Sequence, residues 1–268
     1  MKRSRSRGGE LACIAATLPL LTVWQPCFEG ATVRNAYTGV AAVIGILANR
    51  LAAAGFTGSR EAQGVAFGEI AGSLYAPAVL QEPIVGNRLR IEDDYLKLHS
   101  ACALSHAALD AVLDLHLDAS EVESVLVETV SNNLKLDRQA HPNALSTRFS
   151  LPYAIAAAIV HGHTRPEAFE PDEAVQVLAR RVSVRGAADL EPLWPSASPA
   201  RVSAWLKGGA TRQARVDNPR GHHANPASDE ELRRKFAMLC WARDPDRLRS
   251  RLLAIASEPD CAALFRDP

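Results

Sequence analysis

The stretch DDYLKLHSACALSHAALDA, residues 93–111, gathers Lys97, His99, Cys102 and His106 within ten residues. An ammonium can hold a carboxylate, and an imidazole can pass a proton near neutral pH. His106 and Asp110 are four apart, so on a helix the carboxylate could fix one tautomer of the ring; plain ion pairs on solvated faces share that spacing. A second polar island, GATVRNAYTG, sets Arg34 and Tyr37 before a run of small apolar residues. The guanidinium offers a rigid fork of donors suited to a carboxylate, and the phenol one donor more. A third, HPNALSTRFSLPYAIAAAIVHGH, carries Arg148, Ser150 and Tyr153 into an apolar helix former, and Arg220 follows in DNPRGHHANPASDEEL. Cations drawn from separate islands would suit a substrate with several carboxylates. The plainer reading of the third island is a helix start: Pro142 and Asn143 as turn formers, Ser146 or Ser150 as cap, Pro152 tolerated in the first turn.

The motifs that are missing narrow the chemistry. There is no GxGxxG after a strand, no GxxxxGK[ST] and no GxSxG, which leaves nucleotide cofactors and an esterase triad unsupported. Five cysteines without CxxC spacing point to thiols in a reducing, cytoplasmic setting, and eight histidines without HExxH point to no metal site. His161 and His163, two apart, are expected on different faces of a helix. A formal net charge of zero with 47% apolar residues describes a globular protein with no field drawing it to nucleic acid or an acidic membrane.

The elements that must position these residues are legible in outline. A length of 268 residues favours two domains. The basic start and apolar run to Trp24 outline a signal peptide, but no small-x-small cleavage site follows, and the run is too short to span a bilayer. A buried helix over Leu11–Leu21 behind a frayed Arg-rich start is the reading adopted. Residues 36–54 are apolar on every face, which predicts a helix enclosed by other helices and stopped by GFTGS. A short helix over Glu61–Phe67 precedes a mixed region with breaks at Gly72, Pro77, Pro83 and Gly86. Thereafter HAALDAVLDLH reads as helix, VESVLVETV as strand, and the segment after Ser150 as helix. VQVLARRVSVRG reads as a helix end feeding a strand at Val182–Val184, and a hairpin turns at Gly208–Gly209. Ser228 and Glu231 form a capping box, and a last helix lies around Leu248–Ile255. The fold class expected is mainly α with an α+β second domain.

The stretches GATVRNAYTGVAAVIGILANRLAAAGFTG, YLKLHSACALSHAALDA, STRFSLPYAIAAAIVHG and NPRGHHANPASDEELRRKF, in this order, resemble the MmgE/PrpD family. Its members include 2-methylcitrate dehydratase, cis-aconitate decarboxylase and iminodisuccinate epimerase. The resemblance implies a helical domain plus a smaller α+β lid, a cofactor-free site, and a homodimer. It also implies abstraction of a proton beside a carboxylate, by a lyase or isomerase acting on a small di- or tricarboxylate. By resemblance, residues 1–91 are part of the helical domain, 92–220 the lid, and 221–268 helices returning to the helical domain. Lys97, His106 and Tyr153 take catalytic positions; Arg34, Tyr37, Cys102, Arg148, Ser150 and Arg220 take substrate-binding ones. Arg34 and Tyr37 stand where many members have a lysine and a histidine, which turns position 34 from proton transfer toward carboxylate binding. Family enzymes are longer, and the part lacking here precedes residue 11 and carries acid-base residues. The expected alternatives are therefore a chain descended from such an enzyme, inactive alone or completed by a separately encoded N-terminal half, and a remnant or partner subunit that binds carboxylates or another chain.

Overall fold

The computed structural model describes residues 2–18, 22–72, 76, 90–139 and 143–257. The breaks expected at Pro77, Pro83 and Gly86 and the turn at Pro142 lie outside them. The chain divides into two compact units, Met1–Arg88 with Ala140–Ser146 and Leu89–Gln139 with Thr147–Pro268.

The first unit holds α1 (Lys2–Thr17), α2 (Gln25–Glu29), a 3-10 turn at Thr32–Ala36, α3 (Tyr37–Ala53) and a π-helical turn at Gly64–Ile70. Helix α1 packs along α3, and Ile14, Ala16 and Ala48 are buried. Gly58 comes against α1 so closely that a Cβ there would lie 2.3 Å from the Cys13 carbonyl carbon. Its N–H donates to Glu10 at 2.6 Å. The Asn143 amide donates to Gly30 O at 2.8 Å, which ties residue 143 into this unit. The enclosure expected for α3 is not what the structure shows. Val40, Val43, Ile46 and Leu47 are exposed, because α1 and the preceding turn supply the helix's main packing. By length and composition the segment Thr32–Ala53 could cross a bilayer, a test that core helices of soluble proteins also pass.

The second unit is built on a four-stranded sheet in the order β2-β1-β3-β4. Its strands are β1 (Val122–Thr129), β2 (Val182–Gly186), β3 (Ala200–Leu206) and β4 (Thr211–Val216). β2 runs parallel to β1, whereas β3 and β4 are antiparallel neighbours. Alternation along β1 sends Val125 and Val127 to one buried face, paired with Ala204 and Val202 of β3. Glu128 occupies the other face, where it accepts from Arg185 of β2 at 2.8 Å and Arg201 of β3 at 2.7 Å. Helices α4 (His106–Asp114) and α6 (Leu151–His161), between which the chain makes the single turn α5 (Ala144–Thr147), pack against the sheet and each other, and α7 (Glu173–Ala179) packs on α6.

Helix α6 is the apolar centre of this unit, with Leu151 through Ile159 all buried. Its start needs a non-helical residue whose side chain answers a free backbone N–H; Ser150 does this, accepting from Tyr153 N at 3.1 Å. Its end is Gly162, left-handed at φ 67°, where a side chain would be strained. That turn corrects one expectation: the rings of His161 and His163 lie near one another, centroids 6.0 Å apart, because the helix has stopped between them. Two further helices, α8 (Asp229–Leu239) and α9 (Pro245–Leu253), pack as a pair within the second unit.

Candidate functional site

The segment from Tyr95 to His106 is anchored to the rest of its unit by backbone bonds. Leu96 N donates to Gly221 O at 3.0 Å, Ser100 N to Thr164 O at 3.1 Å, and Cys102 N to Arg148 O at 2.9 Å. Gly221 is left-handed at φ 97°, and a Cβ there would meet Leu96 O at 2.0 Å, so glycine alone permits this approach.

These anchors gather a polar cluster at the start of α4. His106, wholly buried, points Nε2 at Ala101 O, 3.2 Å away. A carbonyl can only accept, so Nε2 carries the proton and Nδ1 accepts from the Tyr95 hydroxyl. Burial, then the nearby His99, pushes His106 down to about 2, with smaller contributions from Lys97 and Lys235. Burial first, and then Asp110, raises the Tyr95 phenol, so the pair is neutral on both sides. Lys97 Nζ donates to the same Ala101 carbonyl at 3.3 Å.

The carboxylate four residues along α4 does not serve His106, as its spacing suggested. Asp110 Oδ1 accepts from His99 Nε2 at 2.8 Å, and its Oδ2 accepts from Arg220 N at 2.6 Å. His99 Nδ1 pairs with Thr164 Oγ1 at 2.6 Å. His106 sits in the first turn with its ring turned back toward Ala101, which leaves the Asp110 face to the segment before the helix. Beyond its backbone, Arg220 is committed to Glu231, with Nη2 at 2.7 Å from Oε2 and Nε at 3.0 Å from Oε1. Its Nη1 donates to Asn225.

The match to the MmgE/PrpD C-terminal domain covers residues 99–257. The chain belongs to the MmgE/PrpD family. The matched span holds His99, Cys102, His106, Asp110, Arg148 and Arg220. A comparison with curated proteins finds no match.

Within this MmgE/PrpD chain the structure brings Lys97, Cys102 and His106 together, with the Arg148 backbone bonded to Cys102. Ser150 and Tyr153 lie elsewhere in the unit. Ser150 caps α6 and donates to Arg138 O at 2.6 Å. Tyr153 is fully buried; its hydroxyl donates to Glu170 O at 2.7 Å and accepts from Asp172 N at 3.0 Å. Arg34, in the 3-10 turn, and Tyr37, the first residue of α3, are half-buried in the first unit. Sequence reasoning missed Tyr95 and Lys235 in the cluster. Tyr95 lay inside the motif already quoted; Lys235, which donates to Lys97 O at 2.5 Å and Leu98 O at 3.0 Å, arrives from α8 with no local signal.

Proposed function

We propose that the second unit takes a small di- or tricarboxylate at Arg148 and Lys97, in the service of cofactor-independent lyase or isomerase chemistry. The observation that carries this reading is Arg148. Its Nη2 reaches Pro166 O only at 3.5 Å, and its Nε is buried with no partner among the described residues. A half-buried guanidinium whose Nε is shut off from water and short of an acceptor gains from an arriving carboxylate. The backbone bond from Cys102 to Arg148 sets it beside the segment that bears Lys97. In this reading the first unit corresponds to the family's helical domain, the second to its α+β domain, and the working form is a homodimer in the cytoplasm.

Removing a proton beside a carboxylate needs a placed base and stabilisation of the charge that develops. Arg148 and Lys97 supply the second requirement. For the first, the cluster offers His106, reached through the Tyr95 hydroxyl. A carboxylate beside Lys97 would offset one of the charges that hold the imidazole neutral, but burial is the larger cause and persists with substrate in place. His106 is enclosed and both its nitrogens are engaged, which favours a second reading: binding by this chain alone without turnover.

Calorimetry with citrate and succinate tests the binding. Arg148→Met is expected to weaken affinity about ten- to a hundredfold, the size of a charge-assisted bond; equal affinities would sink the assignment. Incubation in D2O with 2-methylcitrate, cis-aconitate and iminodisuccinate, followed by NMR, separates the two readings. No deuterium uptake is expected from the chain alone. Exchange above a His106→Gln control would instead establish a working lyase or isomerase.

A further inference from the structure

A groove of about 420 Å³ lies between α8, α9 and the segment at Leu96 and Lys97. Leu232, Phe236, Leu239, Trp241, Leu248 and Leu252 give it apolar walls. Leu239 is 52% exposed and Trp241 85% exposed, so large apolar surface is left facing water at its rim. Among the described residues, the charged side chains of the lining are Lys97 and Lys235, and none is acidic.

Lys235 is a fixed charge rather than a mobile surface lysine. Two of its three N–H donors are taken by the carbonyls of Lys97 and Leu98. Carbonyls orient an ammonium without neutralising it. The other cations on this stretch of α8 have acidic partners: Arg233 pairs with Asp246 at 2.9 Å, and Arg234 lies 3.7 Å from Glu230. Burial, and then the like charge of Lys97, lowers the Lys235 pKa, since both disfavour an ammonium. An arriving carboxylate would meet the third donor of Lys235 and offset both charges. A compact tricarboxylate would set its remaining charges against leucines, whereas an apolar tail would cover them.

We propose that this groove binds an amphiphilic monocarboxylate, an alkanoate of medium length whose carboxylate bridges Lys97 and Lys235 while its chain lies along Phe236 and Leu239. Cavities of this size accommodate small organic ligands. The site shares Lys97 with the carboxylate site proposed above but does not depend on the reaction proposed there, and the residue that distinguishes it is Lys235 rather than Arg148.

Butanoate, hexanoate and octanoate, titrated below micelle formation into the intact chain by calorimetry, test the proposal, with 1-octanol and octylamine as charge controls. Affinity is expected to rise about threefold to fourfold per methylene, and octanoate to bind at least about tenfold more tightly than either control. Lys235→Met should remove that advantage and Lys235→Arg restore it, while Arg148→Met leaves octanoate binding unchanged and weakens citrate binding. If Lys235→Met unfolds the helix pair, Trp241→Asp on the exposed rim serves instead, losing octanoate but retaining 1-octanol. Affinity independent of chain length, or insensitive to both variants, would overturn the proposal. So would sedimentation showing a dimer that Leu239→Asp dissociates and that excludes octanoate.

Discussion

His106 refuses a proton that the unfolded chain accepts. Its pKa falls from 6.5 to about 2 on folding, because burial and the neighbouring His99 disfavour the imidazolium. Between those values the unfolded chain binds more protons than the folded one. The contribution to stability is therefore complete above about pH 6.5 and is lost as pH falls toward 2, at up to about 1.4 kcal/mol per pH unit. Glu231, held at about 2 by Arg220 and the Ser228 cap, acts with the same sign only below its ordinary 4.5. His222, lowered by burial and then by His223, acts with the same sign as His106, so a variant must isolate the effect. Urea midpoints measured at pH 7 and pH 5 should fall for the wild type and fall less for His106→Gln; equal slopes would refute this account. At this scale the sequence was partly legible. Lys97, His106 and the cysteine between them stood in one motif and lie together. The partner of Asp110 did not follow from spacing, because residues distant in the chain set it: Thr164 holds the far side of the His99 ring, and Arg220 takes the second carboxylate oxygen. Tyr153 reads the same in a line of letters whether its hydroxyl meets substrate or, as here, the backbone of residues 170 and 172.

Helix α8 begins with a reciprocal cap: Glu231 N donates to Ser228 Oγ, and Ser228 N donates to Glu231 Oε2 at 2.7 Å. The same Glu231 carboxylate holds the Arg220 guanidinium, so one side chain fastens both the helix and the loop before it. Ser228→Ala is expected to cost about 1 kcal/mol, within the usual range for a lost cap. Chemical denaturation would measure it; an unchanged midpoint would mean that Arg220 alone secures Glu231. Caps and alternation are local, which is why this helix, β1, the hairpin at Gly208–Gly209 and the start of α6 could be placed from sequence. The parallel pairing of β2 with β1 could not, because it depends on how α6 and α7 fold back between them. Nor could the meeting of His161 and His163, which turns on where a helix stops.

The exposed face of α3 carries an expectation about how whole molecules meet. Val43 is 62% and Ile46 59% exposed on a helix with few polar side chains. A contiguous apolar surface of this kind drives association when it exceeds a few hundred Å². Sedimentation at rising concentration should show self-association that Val43→Lys with Ile46→Lys abolishes; a wild-type chain that stays monomeric would contradict this. The α+β character was foreseen in outline, whereas the openness of α3 was not, since apolarity on every side promises neighbours without supplying them. The sheet has a different consequence, one that falls during synthesis. β1 ends at Thr129, and its parallel neighbour begins only at Val182, about fifty residues later. At a ribosomal rate of about 5–20 residues per second, both edges of β1 stand open for several seconds. Throughout that wait Glu128 is a bare charge on an apolar strand, a feature that discourages pairing with other chains. Arg185 and Arg201 emerge with the two strands that close those edges, so the charge guarding the nascent strand is neutralised as the sheet completes itself.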